Sequence, residues 1–284
     1  MTAPLRSVVT RRPARPISDE DWRDFGYLHP IDVAQTEREH AAFCQILTDA
    51  GVDVILKGPD ADGQLDAIFP YDTSLMTDQG AILLRPAKAL RQIETALAET
   101  TYERLGVPVI GVIKDPGTVE GGDAFWLDEQ TLAIGRGYRT NGEGIRQLRE
   151  MLAGIEVELY AYDLPHWRGA DACLHLMSLI SPVADDLAVV YLPLMPVRLV
   201  QTLNDRGWRL IETPEDEFEM MGSNVLALAP GRALMLDGNP VTRERLEAAG
   251  CEVITYQGDE VSLNRAGGPT CLTRAVWRSS APEP

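Results

Sequence analysis

No stretch of this chain is apolar for long enough to cross a bilayer. The longest apolar run, Leu187 to Val197, is too short and carries two prolines. The opening Met1-Thr-Ala-Pro-Leu-Arg holds no apolar signal core, so neither a leader nor a membrane partner is expected. Cysteine is scarce. Cys44, Cys173, Cys251 and Cys271 follow neither disulfide nor metal spacing, which points to free thiols in a reducing compartment and to a cytoplasmic protein. Histidine is as scarce, and His29, His40 and His166 form no metal-ligand spacing with cysteines or acids. Positive charge is also in short supply. With 26 Lys and Arg against 43 Asp and Glu, the net charge is −17, and no basic stripe compensates it. That balance argues against a nucleic-acid partner. It suits a small cationic substrate, although acidity is also a common route to solubility. The segment Gly135-Arg-Gly-Tyr-Arg-Thr-Asn-Gly has Thr140 where a dinucleotide fingerprint needs its third glycine. It reads as a turn and a helix start, and no cofactor is expected.

What the chain does have is a repeat. Five times a helical stretch runs into a glycine and then a short apolar strand signal, at Gly51, Gly106, Gly154, Gly207 and Gly250, at intervals of roughly fifty residues. Glycine after a helix supplies a left-handed cap without a Cβ penalty. The stretches between are pairs of apolar runs split by a polar turn, as in Ser74-Leu-Met-Thr-Asp-Gln-Gly-Ala-Ile-Leu-Leu and Asn224-Val-Leu-Ala-Leu-Ala-Pro-Gly-Arg-Ala-Leu-Met-Leu. These read as hairpins, which a plain doubly wound sheet does not need. Each unit becomes strand, turn, strand, helix, glycine, strand. Helices are expected over 86–105, 141–153, 196–205 and 240–249. The fifth unit is split: Cys271-Leu-Thr-Arg-Ala-Val-Trp supplies its first strand, Leu5-Arg-Ser-Val-Val-Thr its second, and 31–50 its helix. Ends that complete one module close a ring. The expectation is therefore one α/β domain over residues 1–284, a five-bladed α/β-propeller. Residues 13–30, rich in proline, acids and aromatics, read as a long loop of the kind that forms lids. Residues 279–284 read as a frayed tail.

Each glycine is followed, roughly 15 to 21 residues on, by a polar residue inside a strand signal: Asp66, the Glu120/Asp123 pair, His175, Asn224 and Cys271. Taken singly, each has a bland account. Cys271 reads as a buried structural thiol, His175 as a satisfied core histidine, Asp66 and Asp72 as turn residues around Phe69-Pro70-Tyr71, and Glu120-Gly-Gly-Asp123 as a tight turn. Asn224 reads as structural. In a ring of like modules, equivalent positions face one axis. One Cys, one His and several carboxylates would then converge, giving a thiol nucleophile, an acid/base partner and acids able to fork a guanidinium.

Five segments carry a resemblance, in order along nearly the whole chain: Asp66-Ala-Ile-Phe-Pro-Tyr-Asp72, Gly117-Thr-Val-Glu-Gly-Gly-Asp123, Arg139-Thr-Asn-Gly-Glu-Gly144, Leu174-His-Leu-Met-Ser178 and Gly267-Gly-Pro-Thr-Cys-Leu-Thr273. Together they resemble the guanidino-group-modifying (pentein) superfamily, in particular its dimethylarginine dimethylaminohydrolase branch. The resemblance implies a cofactor-free hydrolase in which Cys271 is the nucleophile, His175 the general acid/base and Glu120 a guanidinium-binding acid. It implies substrate contacts from Asp66, Asp72 and Phe69, with Arg91 and Arg139 gripping a substrate carboxylate. It further implies a lid at 13–30 and a homodimer. The expected product is a ureido compound such as citrulline, formed from a methylated arginine through a thiouronium adduct. Arginine deiminase and amidinotransferase are the alternative chemistries, and a non-catalytic binding protein is the alternative class. Two departures stand out. Tyr71 occupies the place of a usual Glu or Arg, and Met177 occupies the place of an aspartate that deiminases carry two residues after the histidine.

Overall fold

The computed structural model describes residues 1–58, 62–170, 172 and 174–279. Cys173 and most of the expected tail lie outside them. Ser279, the first residue of that tail, is held: its N–H donates to Pro4 O at 3.0 Å. In chain order the elements are β1 (Leu5–Arg11), α1 (Asp21–Phe25), α2 (Val33–Asp49), β2 (Asp53–Lys57), β3 (Ser74–Thr77), β4 (Gly80–Leu83), α3 (Glu94–Leu105) and β5 (Val109–Val112). Then come β6 (Ala124–Asp128), β7 (Thr131–Arg136), α4 (Gly142–Ala153), β8 (Glu158–Asp163), β9 (Ile180–Ala184), β10 (Leu187–Val190), α5 (Val197–Asp205) and β11 (Arg209–Glu212). The chain continues through α6 (Glu215–Phe218), β12 (Val225–Ala229), β13 (Arg232–Leu236), α7 (Pro240–Ala248), β14 (Glu252–Tyr256) and β15 (Arg274–Arg278).

The strands form five three-stranded sheets among the described residues: β3-β4-β5, β6-β7-β8, β9-β10-β11, β12-β13-β14 and β15-β1-β2. In every sheet the first two strands pair antiparallel and the second and third pair parallel. A parallel neighbour needs a crossover, and one helix supplies it each time: α3, α4, α5, α7 and, in the sheet assembled from both ends of the chain, α2. The split fifth unit is thus observed. β1 meets β15 with Leu5 opposite Arg278 and Val9 opposite Arg274.

The middle strand of each sheet is the most buried, because it is covered by strands on both sides and by a helix. In the second sheet, Leu132 and Ile134 of β7 are fully buried against Ile145, Leu148 and Leu152 of α4. Those helix positions are spaced three and four apart, the stripe an amphipathic helix presents to a core. In the outer strand β8 only Leu159 and Tyr162 are buried, and the other four residues are exposed. Asn141 caps α4, its side chain accepting from Gly144 N–H at 2.7 Å.

Three details differ from the sequence expectation. The left-handed cap is present at Gly51, Gly106, Gly207 and Gly250, but Gly154 has φ −65°, and the positive φ falls on Glu156. There the chain makes one more turn before β8. The helix expected over 86–105 begins only at Glu94. Residues before it form a loop and a short 3-10 turn, Ala89–Arg91, that carries the Arg91 side chain inward to buried acids. The 13–30 loop is interrupted by the short helix α1, which ends in left-handed Gly26. No helix among the described residues is long and apolar enough to cross a membrane.

Candidate active site

The site residues share one structural address. A tight turn precedes the first strand of each sheet, and each turn carries a polar group: Asp72 before β3, Glu120 and Asp123 before β6, His175 before β9, Asn224 before β12 and Cys271 before β15. In the first sheet the equivalent residue is therefore Asp72. Asp66 lies one 3-10 turn further upstream.

Glu120 is the hub. Its Oε2 lies 2.7 Å from His175 Nε2, and its Oε1 accepts from Ala87 N–H at 3.0 Å and from Arg139 Nη1 at 3.4 Å. Burial alone would raise this carboxyl, but the hydrogen bond and charge of His175, with Arg139 and Arg91 behind them, hold it well below the usual range. Asp72 accepts from Gly122 N–H at 2.9 Å on one oxygen and from Arg91 Nη1 at 2.7 Å on the other. Burial again pushes upward, and the fields of His175 and Arg91 outweigh it, so Asp72 stays a carboxylate. Asp123 accepts from Leu176 N–H at 3.0 Å, which anchors the turn bearing His175. Burial pushes its carboxyl up to about 6.

Asp72, Glu120 and His175 each offer a ligand atom within 4.8 Å of the others. The same donor types could serve a metal. Here they are committed otherwise, to Arg91, to a backbone N–H and to one another, an arrangement suited to planar N–H donors.

Glycine makes the close approach possible. A methyl on Gly122 would overlap the imidazole of His175, and one on Gly121 would overlap Tyr71 O. Methyls on Gly267 and Gly268 would strike the Phe69 ring and the Asn224 amide. Phe69 is buried as a wall behind the cysteine loop, and its carbonyl accepts from Arg91 Nη2 at 3.1 Å.

Cys271 ends the turn that Asn224 organises. Asn224 Oδ1 accepts from Thr270 N–H at 3.2 Å, which fixes the amide so that Nδ2 donates to Cys271 Sγ at 3.4 Å. Asn224, expected to be structural, thus has its amide against the thiol. Cys271 O also receives Tyr71 N–H at 3.5 Å. Tyr71 in turn donates its hydroxyl to Met177 Sδ at 3.1 Å and lies under Arg274, 3.7 Å from guanidinium carbon to ring centroid. The two departures from the motif pattern therefore contact each other.

The arginines are placed unexpectedly. Arg91 directs Nε and Nη2 at Glu94, Nη1 at Asp72 and Nη2 also at Phe69 O. Glu94 shares Arg91 with Asp66 and Asp72, and burial drives its carboxyl up to about 7. Asp66 is gripped by Arg265, with Nε and Nη2 at 2.9 and 3.0 Å. Neither Glu94 nor Arg265 was singled out from the sequence. An Arg-x-x-Glu spacing at a helix start hints at the first, and nothing local hints at the second.

A family model described as N,N dimethylarginine dimethylhydrolase, eukaryotic, matches residues 22–278. The N(G),N(G)-dimethylarginine dimethylaminohydrolase of Pseudomonas aeruginosa is 28% identical over 274 residues, covering 95% of this chain and 98% of its own. The enzyme of that name from Streptomyces coelicolor is 28% identical over 271 residues, 95% of this chain and 96% of its own. A solved structure of the Pseudomonas aeruginosa protein, a cysteine-to-serine mutant complexed with citrulline, matches at TM-score 0.78 and 26% identity over 95% of this chain and 98% of that one. The N-terminal domain of a cyanobacterial arginine dihydrolase, at TM-score 0.82 and 19% identity, shares the fold. With the family model spanning most of its length and the cysteine, histidine and acid turns in place, the chain belongs to the dimethylarginine dimethylaminohydrolase family.

Proposed function

We propose that this protein hydrolyses a methylated arginine or a close guanidino analogue to a ureido product and an amine, using Cys271 as nucleophile. The observation that carries the reading is the buried Asp72–Glu120–His175 cluster. It joins two ionised carboxylates and an imidazole, each with a ligand atom within 4.8 Å of the others, and Tyr71 N–H, next to Asp72, bonds Cys271 O.

A guanidinium is resonance-stabilised and a poor electrophile. Asp72 and Glu120, held as carboxylates by their neighbours, orient it and localise its charge. The Cys271 thiolate, supported by the Asn224 amide, attacks the central carbon and forms a C–S bond. The tetrahedral adduct collapses by breaking the bond to the substituted nitrogen. His175 gives that nitrogen its proton, the amine departs, and a thiouronium remains on sulfur. His175 then takes a proton from water, the hydroxide adds to the same carbon, and a second collapse breaks the C–S bond. The ureido product and the thiolate are released. The Ser178 N–H bonds the imidazole and holds it in place, while Nε2, bonded to Glu120 at rest, is the nitrogen that turns to the substrate for both proton transfers.

Three finer features belong to the same reading. The five like sheets, the last made from both ends of the chain, close into a ring whose axis gathers the five turns. Free thiols with no paired spacing fit a reducing, cytoplasmic setting. The residues 13–30 form the lid, pinned by hydrogen bonds from Leu28 and His29 to Asn264.

The test is a panel of arginine, methylated arginines, agmatine and simple guanidines, with detection of ureido product. Methylated substrates are expected to turn over, and Cys271→Ser is expected to bind them without turnover. A Cys271→Ser enzyme with near-normal rates would end this mechanism.

A further inference from the structure

A cavity of about 10 Å³ lies between the β15-β1 pair and α3, with room for one water-sized occupant. On β1, Val9 and Arg11 stand two residues apart and share a face of the strand. Arg274 of β15 is opposite Val9 in the ladder. These three line the cavity from the strands, and Glu94, Ala98 and Thr101 line it from one face of the helix.

The charges around the cavity do not balance. Arg274 is 4% exposed, and among the described residues no acid lies within ion-pair distance of it. Its Nη2 donates to Tyr71 O, its guanidinium carbon is 3.7 Å from the centroid of the Tyr71 ring, and its Nε has no hydrogen-bond partner. A carbonyl and a ring face supply partial negative charge. Neither neutralises a full charge taken out of water. Arg11 adds a second buried cation to the lining. Glu94 is the one acid in that lining, and Arg91 takes both its oxygens, Nε on Oε1 at 3.0 Å and Nη2 on Oε2 at 2.8 Å. The threonine hydroxyls are committed as well. Thr73 Oγ1 donates to Pro70 O at 2.9 Å, and Thr101 Oγ1 donates to Leu97 O at 2.8 Å. What Arg274 presents is therefore an N–H donor on a buried cation, and a guanidinium cannot accept in return.

We infer that this cavity is a binding site for a single halide ion, chloride in ordinary media, held by the Arg274 guanidinium within the field of Arg11. A polyatomic anion exceeds the space. A cation is repelled by both arginines. A water molecule accepts the same N–H but leaves the charge of Arg274 uncompensated. The ion ties β15 to α3 through charge. It also steadies the turn that bears Cys271, because Arg274 holds Tyr71 O and Tyr71 N–H bonds Cys271 O at 3.5 Å.

The test exchanges the full-length protein into gluconate and then replaces gluconate by chloride at fixed ionic strength, so that screening stays constant. The melting temperature is expected to rise saturably by about 5 °C. Bromide should act like chloride, and methanesulfonate, which is too large, should give no rise. Crystals grown in bromide should show an anomalous peak within hydrogen-bond distance of Arg274 Nε. Arg274→Met, which keeps much of the side-chain length and removes the charge, should melt at the same temperature in chloride and in gluconate. Ala98→Leu, which fills the cavity from the helix and leaves both arginines, should also lose the halide response, and it serves if the methionine variant does not fold. A rise shared by all the anions overturns the inference, since it reports no selective site. So does a halide response that survives in either variant. A bromide crystal with no anomalous peak at the cavity overturns it too, and assigns the space to water.

Discussion

The hydroxyl of Tyr71 donates to the sulfur of Met177 at 3.1 Å, and both side chains are buried. One precedes Asp72 and the other follows His175 by two positions, so the contact ties the turns of Asp72 and His175 together through a polarisable, uncharged bridge. Where a charged residue would need a partner at the other position, this chain uses a phenol and a thioether, which satisfy each other without burying a charge. Tyr71→Phe and Met177→Leu are each expected to cost about 0.5–1.5 kcal/mol and to be non-additive by at least about 0.5 kcal/mol. Urea denaturation of the two single variants and the double variant measures it. Strict additivity would show the contact to be incidental.

Gly122 lies flat against the imidazole of His175, with no room for a methyl. Gly122→Ala is expected to lower kcat about 100-fold or more while leaving the melting temperature nearly unchanged, because the ring must move and its hydrogen bond to Glu120 with it. Gly142 at the start of α4 has open space around its Cβ position. Gly142→Ala should be neutral or add up to about 1 kcal/mol of stability. Paired rate and melting measurements on the two variants decide the matter.

Asn224 donates to the Cys271 sulfur with its orientation fixed by Thr270. A donor on sulfur favours thiolate over thiol. Asn224→Ala is therefore expected to move the pH profile of Cys271 alkylation upward by about one unit, and Asn224→Asp further still. The profile is read from iodoacetamide inactivation rates across pH 6 to 10. An unshifted profile with reduced kcat would leave Asn224 a purely packing role.

His40 on α2 is buried, and desolvation lowers its pKa from 6.5 to about 4. Its neutral form is the one the fold accepts, so its contribution is fully present above pH 6.5 and is lost as pH falls from 6.5 toward 4. The loss is at most about 3 kcal/mol. Asp123 acts with the opposite sign: its raised pKa of about 6 contributes stability at low pH that is lost as pH rises through 6. The difference between parent and His40→Gln isolates the histidine. Chemical denaturation from pH 4 to 7.5 should show the two proteins converging at the acid end and not at the neutral end.

The architecture was legible because it is periodic. Hairpins and helix-ending glycines recur along the chain, and each local signal agreed with the next. The sequence reading brought Cys271, His175 and Glu120 together by their recurring place after each glycine, and took their roles from the motifs that carry the family resemblance. The reading of Asp66 as the first unit's equivalent went astray because Asp66 and Asp72 both precede β3, and only the geometry of the turns separates them. Arg265 was not legible. A lone arginine in Leu-Asn-Arg-Ala carries no pattern, and its partner is far away in sequence. The late start of α3 was also hidden, since the stretch before Glu94 looks helical until the inward pull of Arg91 toward buried acids is known.

The sheet β15-β1-β2 differs from the other four in one respect. Their antiparallel pairs are adjacent hairpins, while β15 reaches β1 across almost the whole chain. Closing so long a loop costs more entropy than closing a hairpin, so this pairing is expected to form last and open first. Cys271 sits three residues before β15. The proposed nucleophile is therefore mounted on the sheet built from both ends of the chain. Under mild denaturant, activity should disappear and the thiol become reactive while the four hairpin sheets still protect their amides from exchange.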